Sequence, residues 1–290
     1  TEKKLWFHQY PGEAIPEHDW LHWTQGGQNW NTMCADCHST NLQTNYDWRV
    51  DTFHTTWSEV NVACEACHGA GDAHIKWAGG DTSEDDPYIL GLHEQLDQIN
   101  SCGPCHARRT KLVDQYNPAL AFHEQFELQT LHPDFYHPDG QIREEDYVLG
   151  SFLSSQMFLE GVMCTDCHDP HTNELKFIGN ELCMQCHEPE YNSEAHHFHS
   201  IGTEGAECVN CHMTGQTYMG NDYRRDHSFR IPRPDQSVAY GTPNACTDSH
   251  TYQSDQWAAD QVVASYPPQP PSHFSDALLL SLKDSLTAQE

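Results

Sequence analysis

A formal net charge of −29 dominates this chain of 290 residues, in which 43 acidic side chains face only 14 basic ones. Such a balance argues against nucleic acid and against anionic membrane surfaces as partners, and it favours cationic partners. No apolar run is long enough to cross a bilayer, so no membrane span is expected.

Twelve of the 13 cysteines fall into six copies of one motif, in which two cysteines separated by two residues are followed directly by histidine. This spacing is the attachment signature of c-type haem, whose vinyl groups become thioethers and whose iron is ligated by the histidine. Zinc ribbons also contain paired cysteines, but they do not need histidine after every second cysteine. We therefore expect six covalently attached haems c, held by Cys34, Cys37, His38; Cys64, Cys67, His68; Cys102, Cys105, His106; Cys164, Cys167, His168; Cys183, Cys186, His187; and Cys208, Cys211, His212.

Six haems change the expectation for the fold. Hydrophobic residues make up 37% of the chain, which is low for this length, and porphyrins are apolar bodies that can fill a core. The expected fold is mostly coil with short α-helices and little β-structure, a multihaem cytochrome c organised around stacked haems. Of 22 histidines, six are proximal ligands, and the rest are numerous enough to give every haem a second histidine.

The residues before the first motif, 1–33, are rich in aromatic side chains that we expect to pack on porphyrin edges. Among their histidines, His22 is the favoured second ligand and His8 the next. After the second motif, the glycines at 69 and 71 permit a sharp turn that can return His74 towards a haem, so His74 is a predicted ligand.

Several helices are predicted from capping and periodicity. Thr56 and Glu59 fit a capping box that would open a helix into the second motif. Leu92, Leu96 and Ile99 repeat at helical spacing and predict a core-facing helix that leads into Cys102. The acidic stretch 79–87 is interpreted as a solvated loop rather than a calcium site, because its spacing matches no known calcium loop.

Beyond the third motif, Arg108 and Arg109 are predicted partners of haem propionates. The long gap 117–163 is predicted to hold helices at about 119–131 and 142–160, and it is the natural seam between two halves. We expect an N-terminal three-haem half over 1–135, a C-terminal three-haem half over 136–250, and a helical, proline-rich tail over 251–290 with helices near 254–264 and 275–288.

Three motifs lie close together between Cys164 and His212, so their haems should be in near contact. The histidines interleaved with them are better explained as axial ligands than as surface residues. These are His171, His196, His197 and His199, of which His197 and His199 are the favoured members of the second group. His227, beside Asp226, is also interpreted as an iron ligand.

The thirteenth cysteine, Cys246, lies in a variant motif in which Ser249 replaces the second cysteine and His250 follows. Two interpretations stay open for it. It could be an empty site with a packing role, or a seventh haem could be held there through one thioether, with His250 as its ligand.

The chain resembles bacterial multihaem c-type cytochromes, some of which carry tetratricopeptide repeats after the haem region. The resemblance is carried by Trp6-Phe7-His8, Leu21-His22-Trp23, Cys64 to Gly71, Tyr136-His137, Cys164 to His171, Ala195 to His199, Arg225 to Arg230 and Gly241 to Cys246. It implies haems with two histidine ligands, and it places the second ligands at His22, His74, His137, His171, one of His196, His197 or His199, and His227. Such relatives have a complete motif where this chain has Ser249.

The function expected from these features is electron transfer along closely spaced haems with two histidine ligands each, because no coordination position is left open for a substrate. The haem density is similar to that of extracellular cytochrome filament (nanowire) subunits, which suggests self-assembly. The alternative is a reductase of small nitrogen or sulfur oxyanions with one five-coordinate haem. Prokaryotes attach haem c outside the cytoplasmic membrane, so the expected location is extracellular or periplasmic. The expected partners are redox proteins or extracellular acceptors.

Overall fold

The computed structural model describes residues 6–81, 90–129, 131–145, 147–268 and 274–283. The chain divides into two compact units. Tyr10–Gln129 forms the N-terminal unit, and Thr130–Glu290 together with Thr1–Gln9 forms the C-terminal unit. The division into three-haem halves at 135 and 136 stays a prediction about haem organisation.

The N-terminal unit begins with short 3-10 and π-helical turns, Gly26–Gln28 and Trp30–Cys34. A long hairpin follows, in which β1 (Ser39–Thr40) pairs with β4 (Glu59–Val60) and β2 (Tyr46–Asp47) pairs with β3 (Thr52–Phe53). Asn45, just before β2, and Asp51, just before β3, adopt positive φ angles of 47° and 51°, a conformation that asparagine and aspartate tolerate better than most other side chains. Thr56 pairs with Gln43 in this hairpin, so the helix predicted to start at Thr56 is wrong.

Helices α1 (Cys64–His68), α2 (Asp72–Ala78) and α3 (Gln95–His106) carry the chain through the second and third motifs. The predicted helix into Cys102 is confirmed by α3, which is opened by a capping box between Glu94 and Asp97. Its apolar stripe is only partly core, because Ile99 is buried whereas Leu96 is 62% exposed.

Helix α4 (Phe122–Gln125) is a single turn followed directly by β6 (Phe126–Leu128), which pairs antiparallel with β5 (Arg109–Lys111). The helix predicted over 119–131 is therefore wrong beyond Gln125, because strand pairing overrides the local helical pattern. Phe122 and Phe126 stack with ring centroids 5.3 Å apart and are fully buried. They are the two largest fully buried side chains among the described residues.

The C-terminal unit is built of short elements. They are α5 (Leu149–Leu153), α6 (Gln156–Leu159), α7 (Cys164–Cys167), the hairpin of β7 (His168–Asp169) with β8 (Glu174–Leu175), 3-10 turns at Gly179–Gln185, Pro189–Asn192 and Glu204–Ala206, α8 (Glu194–His197), α9 (Cys208–His212), the hairpin of β9 (Gly215–Tyr218) with β10 (Asp222–Arg225), α10 (Pro234–Tyr240), α11 (Ala245–Ser249), α12 (Asp255–Ser265) and α13 (Phe274–Lys283).

The helix predicted over 142–160 is wrong in its first half and interrupted in its second. Ile142 pairs with Tyr136 in an isolated bridge, and its N–H is held by the buried carboxylate of Asp226. The chain becomes helical only at Leu149, and Ser155 then caps a new helix by accepting from the Phe158 N–H. The helices predicted in the tail are confirmed over α12 and, as far as the structure describes it, α13.

The predicted fold class is confirmed. Helices are at most 12 residues long, strands are two to four residues long, and every sheet in the described part of the chain has two strands. Much of the buried material is polar, including Gln98, Gln125 and Asp139. Within the described ranges, no helix combines the length and apolar character needed to cross a membrane.

Candidate haem centres

The haem motifs share one local turn. In the first and fifth motifs, the N–H groups of His38 and His187 donate to the carbonyls of Cys34 and Cys183 across 3.1 Å. The second, third and sixth motifs form or end α1, α3 and α9, and the His168 N–H caps α7 on the Cys164 carbonyl. This turn places the first cysteine and the histidine on one side of the helix. All 13 cysteines lie in the described residues, and none of them forms a disulfide bond.

Backbone carbonyls set the tautomer of several candidate ligands. Nδ1 of His68 bonds the Leu90 carbonyl at 2.8 Å, and Nδ1 of His212 bonds the Arg230 carbonyl at 2.7 Å. Nδ1 of His227 likewise bonds the Arg225 carbonyl at 2.9 Å. Because a carbonyl can only accept, Nδ1 carries the proton in each case and Nε2 keeps the lone pair that a metal requires.

Two histidine pairs have the spacing of ligands on opposite sides of one metal. The ring centroids of His168 and His227 are 6.3 Å apart at an interplanar angle of 24°. Those of His196 and His212 are also 6.3 Å apart, at 10°. Two imidazoles bound to one iron through bonds of about 2 Å would have centroids about 6 Å apart. The residues of the fourth and sixth motifs therefore fit haem with a second histidine.

A third group of histidines consists of His197, the last residue of α8, together with His199 and His250. The ring of His199 is 5.9 Å from that of His250 and 6.4 Å from that of His197, measured between centroids. Nδ1 of His199 bonds the His197 carbonyl. His250 in turn packs on Trp257 at 5.1 Å. The variant motif is thus brought together with two of the predicted ligands.

Thiols of different motifs meet within each unit. In the N-terminal unit, the Cys37 Sγ lies 3.9 Å from the Cys105 carbonyl oxygen. The neighbouring Cys37 side chain raises the pKa of the Cys105 thiol through a hydrogen bond. In the C-terminal unit, a hydrogen bond from Cys183 lowers the pKa of the Cys208 thiol to about 7. The attachment points of motifs one and three, and of motifs five and six, are therefore adjacent.

A buried ion triad joins the first and third motifs. Asp36, between the two cysteines of the first motif, contacts Arg109 Nη2 at 2.5 Å and Lys111 Nζ at 2.7 Å. Arg109 also donates through Nε to the Pro104 carbonyl and covers the ring of Phe126 at 4.3 Å. Arg109 contacts a protein carboxylate in this structure, and its pairing with a haem propionate stays a prediction. Sequence reasoning did not single out Asp36 or Lys111, although a charged residue inside a haem motif was a visible signal.

The remaining predicted ligands are spread over both units. His22 bonds the Thr24 hydroxyl through Nδ1 at 2.7 Å, and His74 stacks on Trp77 within α2. Partial burial lowers the pKa of His137, as it does for His196, and this favours the neutral, metal-binding form. His171 is exposed near Asp169, and His8 is exposed in the C-terminal unit. The pairing of these histidines with particular haems stays a prediction.

Comparison with known proteins supports the same class. A family model described as the doubled CXXCH motif matches residues 157–192, and one described as cytochrome c554 and c-prime matches residues 19–69. The outer cell wall cytochrome OcwA superposes with a TM-score of 0.61 at 19% identity, covering 81% of this chain and 63% of that chain. The undecaheme cytochrome from the S-layer of Carboxydothermus ferrireducens gives a TM-score of 0.42 at 20% identity, with 82% and 47% covered. No curated protein matches the sequence.

These findings define a class of protein. The repeated motif, the two family matches and the fold confirm the interpretation as a multihaem c-type cytochrome. Multihaem cytochromes as a class are electron-transfer proteins. The chain spans less than two thirds of either solved cytochrome.

Proposed function

We propose that this protein carries electrons at the cell surface through a series of closely spaced haems, each with two histidine ligands. The observation that carries the proposal is the pair of ring separations of 6.3 Å, His168 with His227 and His196 with His212. With histidine on both sides of the metal, substrate has no coordination position to enter. Such sites suit electron transfer rather than bond chemistry.

Haem c held in these motifs supplies reversible one-electron chemistry. The chain's own residues provide the attachment points for the haems and orient their histidine ligands. The two cysteines of a motif would tether one edge of the haem, and the motif histidine would bind the iron through Nε2. The carbonyls of Leu90, Arg230 and Arg225 hold the imidazoles of His68, His212 and His227 by their Nδ1 protons. These bonds keep the ring orientation and raise ligand basicity, which favours the oxidised state.

Short distances between sites are the second requirement, and contacts within each unit support them. In the N-terminal unit, the Cys37 Sγ lies 3.9 Å from the Cys105 carbonyl oxygen. In the C-terminal unit, the Cys208 N–H donates at 2.9 Å to Asn180, which lies in the same turn as Cys183. Haems attached at adjacent sulfurs have adjacent edges. We infer that motifs one and three form one close pair and that motifs five and six form another.

The location and partners follow from charge and from one relative. The fold relative OcwA is an outer cell wall cytochrome, and haem c is attached outside the cytoplasmic membrane. An extracellular or periplasmic location fits both. A net charge of −29 favours cationic acceptors or redox proteins with a basic face. Assembly into filaments, as in nanowire subunits, is the finer version of this proposal and rests on haem density alone.

Spectroscopy tests the electron-transfer proposal. The purified protein should carry at least six haems by intact mass, show a low-spin spectrum in both oxidation states, and bind no carbon monoxide. A reductase of nitrogen or sulfur oxyanions needs one open position. High-spin haem that binds carbon monoxide and turns over nitrite or hydroxylamine would replace our proposal with the reductase. Cryo-electron microscopy tests whether the protein assembles into filaments. Images that show only isolated particles at every salt concentration would exclude filament assembly.

A further inference from the structure

We propose that the variant motif holds a seventh haem through a single thioether at Cys246, with His250 and His199 as its two axial ligands. The inference rests on the proposed haem function of the other six motifs. It assigns a cofactor site to a stretch that lacks the second cysteine of the attachment signature.

The variant motif keeps the backbone turn of the complete ones. The His250 N–H donates to the Cys246 carbonyl across 2.8 Å, which is the bond that joins His187 to Cys183 and His38 to Cys34. Helix α11 is capped by Asn244, whose side chain accepts from the Thr247 N–H at 3.0 Å. With serine at position 249, Cys246 and His250 therefore keep the backbone arrangement that the complete motifs have.

The second ligand is already in place opposite His250. The His199 ring lies 5.9 Å from the His250 ring at 32°, close to the 6.3 Å of the pairs in the fourth and sixth motifs. The Nδ1 of His199 bonds a carbonyl, that of His197, so its Nε2 keeps the lone pair. Gly205 makes this position possible, because a Cβ there would overlap the His199 ring.

The surroundings fit a haem that extends the C-terminal series. Helices α9 and α11 pack together, so the variant motif lies beside the sixth motif. The ring of Trp257 packs beside that of His250, with centroids 5.1 Å apart. Asn244 also bonds Asp255 at 2.8 Å, which ties the motif to α12.

The attachment chemistry needs one thiol. The Cys246 thiol adds across one vinyl double bond, so that sulfur bonds the α-carbon and the thiol hydrogen goes to the β-carbon. No electrons are gained or lost in this addition. Serine is the weaker nucleophile, and the Ser249 hydroxyl is engaged with the Cys246 carbonyl at 3.3 Å. The second vinyl group therefore stays intact.

Intact mass under denaturing conditions tests the site directly. We expect seven covalent haems in the native protein and six in Cys246→Ser. The pyridine haemochrome should show one haem with a red-shifted α band, and Ser249→Cys should abolish that shift while keeping seven haems. A native mass of six haems with Cys246 open to alkylation would overturn the seventh site and leave the electron-transfer proposal standing. A protein without haem would overturn both.

The ligand assignment needs a separate variant. His199→Ala should keep seven haems by mass but convert one of them to a high-spin form that binds carbon monoxide. The matched control is His132→Ala, because His132 lies in the same unit, has a side chain 52% exposed and is not a predicted ligand. An unchanged low-spin spectrum in His199→Ala would overturn the assignment of His199.

Discussion

The guanidinium of Arg109 lies 2.5 Å from the carboxylate of Asp36, and this buried ion pair ties the first haem motif to the strand that follows the third. Lys111 Nζ contacts the same carboxylate at 2.7 Å. The three side chains are between 9% and 18% exposed and together carry one net positive charge. That charge lies beside Cys37, in a chain whose overall charge is −29.

Removal of the carboxylate should destabilise the N-terminal unit. In Asp36→Asn, two buried cations lose their partner, which costs about 3–5 kcal/mol at such sites. Asp72→Asn is the control, because Asp72 pairs with Lys76 at 2.7 Å on the surface, where an ion pair contributes about 1 kcal/mol or less. Guanidinium unfolding followed by the Soret band compares the two. Equal midpoint shifts would contradict a stabilising triad.

Loss of the buried positive charge should lower the reduction potentials of the haems on the first and third motifs. A nearby cation favours the reduced iron, which carries one positive charge fewer, and burial limits screening by salt. Lys111→Gln should therefore shift part of the spectroelectrochemical titration to lower potential, and Lys111→Arg should restore it. Lys76→Gln removes the same charge from an exposed pair, with side chains 64% and 78% exposed, and should change little. A shift of the same size in both glutamine variants would exclude a local effect.

Replacement of His227 should open one coordination position. If His227 and His168 bind the same iron, His227→Ala leaves that haem with one histidine. We expect a high-spin fraction equivalent to one haem, with carbon monoxide binding in the reduced protein. Absorption and electron paramagnetic resonance spectra measure both effects. A fully low-spin His227→Ala protein would refute the pairing, and His132→Ala again serves as the control.

The cap of α11 should contribute measurable stability. Asn244 is buried and holds both the Thr247 N–H and the Asp255 side chain. Asn244→Ala should cost about 0.5–2 kcal/mol from the cap alone, together with the lost bond to α12. Asp255→Ala removes only the second bond, so the difference in thermal midpoint between the two variants isolates the cap. Identical midpoints would mean that Asn244 does not cap α11.

The sequence alone determined what depends on neighbouring residues. The turn that joins His187 to Cys183 is closed by one backbone bond within five residues, so the motif carries its own geometry. The same holds for α3 and α12, whose caps and periodicity are local. These features predicted the cofactor, the class and the short helices.

The tertiary structure decided what depends on distant parts of the chain. The helix predicted over 119–131 is wrong beyond Gln125, because Phe126 pairs with Lys111 in a two-stranded sheet. A strand partner that lies 15 residues away along the chain is not visible in a local sequence pattern. The sequence leaves His196 as one of three alternatives and favours His197 and His199, whereas in the folded chain the His196 ring lies 6.3 Å from that of His212. Spacing along the sequence cannot rank such candidates. Two imidazoles face each other only where turns and hairpins between them bring their backbones together, and that placement is a property of the folded chain.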